Sequence, residues 1–143
     1  PIRYTTVERF PLSDSITHQL NYQLPAEAGP KFEQLHACEW NTAVALSRYF
    51  TLQKLHADLT TQQWQETFDV IYYDAFAPDK QPEMWTEEIF KRIYQKTNPG
   101  GVLVTYCAKG VIRRMLQSVG FTTERLPGPP GKREMLRAKK ATV

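Results

Sequence analysis

Glycine is scarce in the stretch where a cofactor-binding chain would need it. Of seven glycines, Gly29 alone precedes Gly100, and no G-x-G-x-x-G occurs anywhere. The sequence therefore offers no glycine-rich turn of the kind that lets a nucleotide cofactor approach the backbone closely. Cysteine is also rare. Cys38 and Cys107 stand far apart, outside any CxxC spacing and among apolar or small neighbours, so buried free thiols are expected rather than a disulfide or a metal pair. The three histidines, His18, His36 and His56, share no ligand spacing, and no metal is expected. Long apolar runs are missing too: none approaches the roughly 20 residues of a bilayer-spanning helix. The opening Pro1-Ile2-Arg3-Tyr4 has no signal-peptide character, so the expected location is the cytoplasm, with no membrane partner.

What is present reads as one soluble α/β domain over residues 1–143, with 41% hydrophobic and 23% charged residues. The net charge is only +3, but its distribution is uneven. Basic residues concentrate from Lys109 onward, at Arg113, Arg114, Arg125, Lys132, Arg133, Arg137, Lys139 and Lys140. That half is expected to face phosphate, the plain alternative being a solvated basic surface.

The β-branched and aromatic run Ile2 to Glu8 predicts a strand that ends at a turn beginning near Pro11. Ser13 or Asp14 caps a short helix, and Pro25, Gly29 and Pro30 leave room before Cys38 for two short helices at most. Phe50 to Asp58 predicts a strand, followed by a short helix that Thr60 or Thr61 caps and that carries Trp64. Phe68 to Asp74 is a dense apolar run ending in an acid, as in a parallel strand buried on both faces. Thr86, Glu87 and Glu88 open a helix that runs to about Lys96, which Asn98-Pro99-Gly100-Gly101 stops. A strand at Val102 to Tyr106, a helix at Gly110 to Val119 closed by Gly120, and a strand at Phe121 to Leu126 follow. The stiff turn Pro127 to Gly131 then returns Arg133 to Ala138 as an antiparallel partner. Strands alternating with helices predict a mostly parallel sheet with its active residues at the carboxyl ends of the strands.

Asp74 is such a residue, and Ala75-Phe76-Ala77-Pro78 after it resembles the Asp/Asn-Pro-Pro-aromatic loop of amine methyltransferases, with Ala75 in place of the first proline. A carboxylate there can accept a hydrogen bond from an amine and aim its lone pair; alternatively it accepts backbone N–H groups and closes its own loop. Glu8 and Asp58 end the strands before it, where an acid binds ribose hydroxyls or orients an adenine edge, or is simply a solvated turn residue. Arg113 and Arg114 early in a helix, and Lys132 and Arg133 beside the proline-rich turn, are candidate phosphate clamps. Among the aromatic residues, Phe76 and Trp85 stand in loop context and are candidate base-stacking platforms, whereas Tyr72 and Tyr73 read equally well as core.

The compound motif Tyr73-Asp74-Ala75-Phe76-Ala77-Pro78-Asp79-Lys80-Gln81-Pro82-Glu83-Met84-Trp85-Thr86 is similar to the signature of the tRNA 5-aminomethyl-2-thiouridine methyltransferases, namely the methyltransferase half of bifunctional MnmC and its stand-alone relatives. Pro99-Gly100-Gly101, Tyr106 to Arg114, Gly120-Phe121 and Lys132 to Leu136 follow in the same order as the family's later landmarks. The resemblance implies a Rossmann-like class I methyltransferase sheet with an antiparallel carboxy-terminal hairpin. It implies S-adenosylmethionine as methyl donor and the aminomethyl nitrogen of a tRNA wobble uridine as acceptor. By the same resemblance, Asp74 orients the amine, Glu8, Asp58 and Asp74 face the cofactor, and Phe76, Lys80, Trp85, Arg113, Arg114, Lys132 and Arg133 face tRNA. A FAD-dependent oxidoreductase acting in the same pathway is a further candidate partner. The family's first strand and glycine-rich loop have no counterpart here, so the chain is expected to be a partial domain with two strand edges left unpaired, at Ile2–Glu8 and Phe68–Asp74. Two other readings remain: a non-catalytic RNA-binding module, and a methyltransferase for another amine.

Overall fold

A computed structural model describes residues 1–142. The chain forms two compact units, the first Pro1–Gln62 and the second from Gln63 onward. In the first, β1 (Ile2–Glu8), α1 (Asp14–Thr17), α2 (Gly29–Ala37), β2 (Ala43–Ser47) and β3 (Phe50–His56) succeed one another. They make a three-stranded sheet in the order β1-β3-β2. β1 lies parallel to β3 from Ile2 opposite Phe50 to Glu8 opposite His56, so both carboxyl ends share one edge. β2 is antiparallel to β3 and slips register between Ala45 and Ser47. Leu52 is buried, and so is Lys54, whose amine donates to the His36 carbonyl at 2.7 Å. That bond satisfies a charge otherwise costly to bury.

Three sequence expectations need correction in this unit. β2 was not foreseen, because only Val44 and Leu46 are apolar in pattern and both are only half-buried. The short helix after Asp58 does not form. The Asp58 carboxylate accepts from the Thr60 N–H at 2.8 Å and the Thr60 hydroxyl at 2.6 Å, which fixes a turn where a helix would have had to start. Cys38 is only partly buried, whereas Cys107 in the second unit is buried as expected, and both are free.

The second unit holds β4 (Phe68–Tyr72), a 3-10 turn (Pro82–Met84), α3 (Glu87–Lys96), β5 (Thr97–Thr105), α4 (Gly110–Ser118), β6 (Thr122–Pro127) and β7 (Glu134–Lys139). Its sheet runs β4-β5-β7-β6, with β4 parallel to β5 and β7 antiparallel to both β5 and β6. The expected carboxy-terminal hairpin is therefore present. α3 starts where the Thr86 hydroxyl accepts from the Ile89 N–H at 3.3 Å, with Glu87 and Glu88 in its first turn, and it buries Ile89 and Phe90. At its far end the Lys140 amine donates to the Tyr94 and Thr97 carbonyls, both at 2.8 Å, covering acceptors that a helix terminus leaves open. Phe90, Leu103, Ile112, Leu116 and Leu136 are fully buried and form the core between α3, α4 and the sheet.

Two details differ from expectation here as well. Asn98 to Gly101 does not lie outside the sheet: β5 begins at Thr97, and the irregular pairing between Phe68 and Val70 absorbs the detour, with Gly100 at φ 78°. β4 is not buried on both faces. It pairs on one side only, with β5, and Val70 and Tyr72 are 49% and 67% exposed. β1 likewise pairs on one side only, with β3, so both edges foreseen as unpaired are edges among the described residues.

Candidate functional site

Strand direction collects the chemistry of the second unit. β4, β5 and β6 point the same way and β7 the other. The segments that leave β4, leave β5 and join β6 to β7 therefore emerge at one edge of the sheet. That edge carries Asp74 to Trp85, Tyr106 to Lys109 with the start of α4, and Gly128 to Arg133. It is the carboxyl edge at which open α/β sheets bind ligands.

The loop after β4 is held by side chains rather than by a backbone ladder. The ladder ends with the Tyr73 N–H donating to the Val104 carbonyl at 2.9 Å. Beyond it, the Tyr106 hydroxyl donates to the Ala75 carbonyl at 2.8 Å, the Phe76 N–H donates to Gln81 Oε1 at 3.2 Å, and the Trp85 indole N–H donates to the Phe76 carbonyl at 2.7 Å. The buried Tyr73 hydroxyl donates to the Met84 carbonyl, closing the loop from below. Burial pushes the Tyr73 phenol well above its usual range, so it stays a donor. Tyr73, Trp85, Phe90 and Tyr106 meet edge to face, with centroids 5.2 to 6.3 Å apart.

On this frame Asp74 is exposed, and its carboxylate makes no hydrogen bond among the described residues. The loop-closing alternative therefore has no support, because the closing bonds come from Tyr106, Gln81, Trp85 and Tyr73. Phe76 is 77% exposed and open to stacking. Trp85 is 4% exposed, which corrects its reading as a stacking platform: the indole lies inside the aromatic cluster, and its one polar atom is used on Phe76. Tyr72, by contrast, is out of the core.

The basic residues divide by position. Arg137 pairs with Glu124 at 2.6 Å and Arg125 with Glu134 at 3.6 Å, across the β6–β7 hairpin. The Arg137 guanidinium holds the Glu124 carboxyl below its usual range, so these cations serve the sheet. Those at the carboxyl edge have other surroundings. Lys132 Nζ lies 3.9 Å over the Tyr106 ring, Lys109 is 3.7 Å from Asp79, and Lys80, Arg114, Lys132 and Arg133 are exposed. Arg113 is half-buried, and its Nε is buried without a partner among the described residues. The α4 N-terminus beside it has no side-chain cap. The sequence marks these cations as candidate phosphate clamps but gives no sign of Tyr106 and Gln81 as loop holders; both stand in the quoted motifs, and nothing in their spacing shows which carbonyl or N–H they meet.

Glu8 and Asp58 belong to the first unit. Glu8, at the end of β1, accepts the Phe10 N–H at 2.8 Å through Oε1, and its other oxygen has no bond among the described residues. An exposed carboxylate oxygen at a strand's carboxyl end fits ribose hydroxyls. Asp58 lies two residues past β3 and is more occupied: Thr60 holds Oδ1, and Arg9 reaches Oδ2 at 3.0 Å. The Thr60 hydrogen bonds first, and Arg9 after them, hold its carboxyl below the usual range. A carboxylate has about four acceptor directions, so Asp58 keeps capacity for an adenine edge while serving the turn. Among the described residues no cluster of three or more His, Cys, Asp or Glu is placed to hold a metal ion, and no helix is long and apolar enough to cross a membrane.

A family model described as S-adenosyl-L-methionine-dependent methyltransferase matches residues 18–141. Among solved structures, MNMC2 from Aquifex aeolicus superimposes with a TM-score of 0.74 at 23% identity, covering 99% of this chain and 45% of that one. A methyltransferase from Pyrococcus furiosus matches with a TM-score of 0.50 at 20% identity over 64% of this chain and 50% of that one. The likeness shows a Rossmann-like methyltransferase fold, and the chain spans about half the length of these structures or less.

Proposed function

We propose that this chain, which belongs to the S-adenosyl-L-methionine-dependent methyltransferase family, carries the acceptor side of methyl transfer to the aminomethyl nitrogen of a wobble uridine in tRNA. The observation that carries the reading is Asp74: an exposed carboxylate without a hydrogen-bond partner among the described residues, on a loop whose polar groups are held by Tyr106, Gln81 and Trp85. It stands at a sheet edge whose segments also carry the exposed Phe76 and the exposed Lys80, Arg114, Lys132 and Arg133. The signature from Tyr73 to Thr86 supports the amine and the tRNA.

S-adenosylmethionine supplies an electrophilic methyl group on a sulfonium; Glu8 is suited to its ribose and Asp58 to its adenine edge. Asp74 accepts a hydrogen bond from the neutral amine, which leaves the nitrogen lone pair free and aimed. Its negative charge then stabilises the cation that forms on nitrogen as the N–C bond forms and the S–C bond breaks; the neutral thioether leaves, and the ammonium gives its extra proton to water. Holding the carboxylate on a clamped loop lowers the reorganisation needed at the moment of transfer. Phe76 is placed to stack on the base, while Lys80, Arg113, Arg114, Lys132 and Arg133 take the flanking phosphates. A FAD-dependent oxidoreductase acting in the same pathway is the further partner this reading carries.

The test is incubation of the natural protein with S-adenosylmethionine and tRNA bearing 5-aminomethyl-2-thiouridine, followed by nucleoside mass analysis. A gain of one methyl on that nucleoside is expected. Methylation of free amines but not of tRNA would turn the reading to another amine substrate. Salt-sensitive tRNA binding with no methyl transfer would turn it to a non-catalytic RNA-binding module.

A further inference from the structure

The peptide plane that joins Ala75 to Phe76 is gripped on both sides by side chains. Its carbonyl accepts from the Tyr106 hydroxyl at 2.8 Å, and its N–H donates to Gln81 Oε1 at 3.2 Å. The next carbonyl, that of Phe76, is taken by Trp85. On the other side of Asp74 the nearest fixed backbone group is the Tyr73 N–H, bonded to Val104 on β5. Asp74 is thus suspended between two anchors, and the Tyr106 hydroxyl is the one partner of the Ala75 carbonyl among the described residues.

We propose that Tyr106 is a positioning residue for methyl transfer: its hydroxyl fixes the Ala75 carbonyl and so sets the direction of the Asp74 carboxylate. Resting on the reading above, this adds to it a residue that acts through the loop backbone.

The surroundings of Tyr106 suit that task. Its ring is set against the buried Trp85, centroids 6.2 Å apart and planes at 81°, which fixes where the hydroxyl points. The Lys132 ammonium covers the ring at 3.9 Å, tying the β6–β7 turn to the same side chain. Burial first, and then the charges of Cys107, Asp74 and Asp79, raise the Tyr106 phenol above its usual range. It therefore stays protonated, and a donor, across the neutral range.

Tyr106→Phe removes one oxygen and keeps the ring, the packing on Trp85 and the cation above it. Two readouts are taken on the natural protein. In hydrogen exchange, the segment from Asp74 to Ala77 is expected to lose protection while α4 and β5 keep theirs. In steady-state methylation of tRNA bearing 5-aminomethyl-2-thiouridine, kcat is expected to fall about tenfold, as misorientation of a reacting group predicts, with KM for tRNA and for S-adenosylmethionine unchanged within about twofold. Unchanged loop protection overturns the clamp whatever the activity. A loosened loop with unchanged kcat, or a loss that appears in KM instead, overturns the positioning role. A wild-type protein that does not methylate this nucleoside overturns the proposed function and, with it, any catalytic purpose for the clamp; loop exchange in the variant separates that failure from a failure of the geometry.

Discussion

At the scale of single residues, the carboxylates divide into those that hold structure and one that does not. Asp58 fixes the turn after β3 through Thr60, and Glu124 is locked to Arg137, whereas Asp74 has no such duty. The difference has a measurable side. Asp58 is held below the ordinary aspartate range, so its contribution to stability is present above the unfolded-state value of about 3.9 and is lost as pH falls through its depressed native value. A carboxyl titration by nuclear magnetic resonance should show the Asp58 midpoint below that of a free aspartate, and Thr60→Ala should move it upward; an unmoved midpoint would mean that Thr60 is not the cause. Asp74 was legible in the sequence because an acid after an apolar strand marks a carboxyl edge. Trp85 was misread because neighbouring residues in a loop do not reveal whether an indole turns inward. Here it does, since its N–H finds the Phe76 carbonyl and its rings find Tyr73 and Phe90.

At the scale of elements, strong local signals were read well and context-dependent ones were not. α3 was fully marked by Thr86, two first-turn acids and an apolar face, and it forms over Glu87–Lys96. α4 ends as Gly120 predicts, with Gly120 at φ 115° and its N–H donating to the Gln117 carbonyl at 3.1 Å. A Cβ at Gly120 would meet the Tyr94 ring at 2.8 Å, and that ring is set edge-on against Phe121 and under Lys140. Gly120→Ala should therefore destabilise the protein by ~1–3 kcal/mol, the usual cost of a left-handed non-glycine residue. Chemical denaturation would show this as a lower midpoint, and an unchanged midpoint would mean that α4 can end without this turn. β2 and the turn after Asp58 escaped prediction for the opposite reason. Val44 and Leu46 make too short a pattern to announce a strand that exists because β3 is there to pair with it.

At the scale of the whole molecule, the motifs that open at Tyr73, Tyr106 and Lys132 come to one sheet edge of the second unit, whereas Pro99-Gly100-Gly101 and Gly120-Phe121 stand at the amino-terminal ends of β5 and β6, and the basic half of the chain separates into sheet-bracing and edge-facing cations. A parallel run such as β4 looks as if it should be covered on both faces, but among the described residues β4 has one strand neighbour, and Val70 and Tyr72 are exposed. The glycine-poor amino-terminal half leaves Glu8 and Asp58 as the first unit's candidates for the cofactor, while Asp74 is the residue proposed for the acceptor side. The direct test compares wild-type and Asp74→Ala natural protein in methylation of tRNA bearing 5-aminomethyl-2-thiouridine, alongside calorimetric titration of S-adenosylmethionine and a thermal melt of each. A fall in kcat of about a hundredfold or more, with the melting temperature little changed, is the predicted result, whereas a variant that turns over at the wild-type rate would contradict the assignment of Asp74 as the residue that aims the amine.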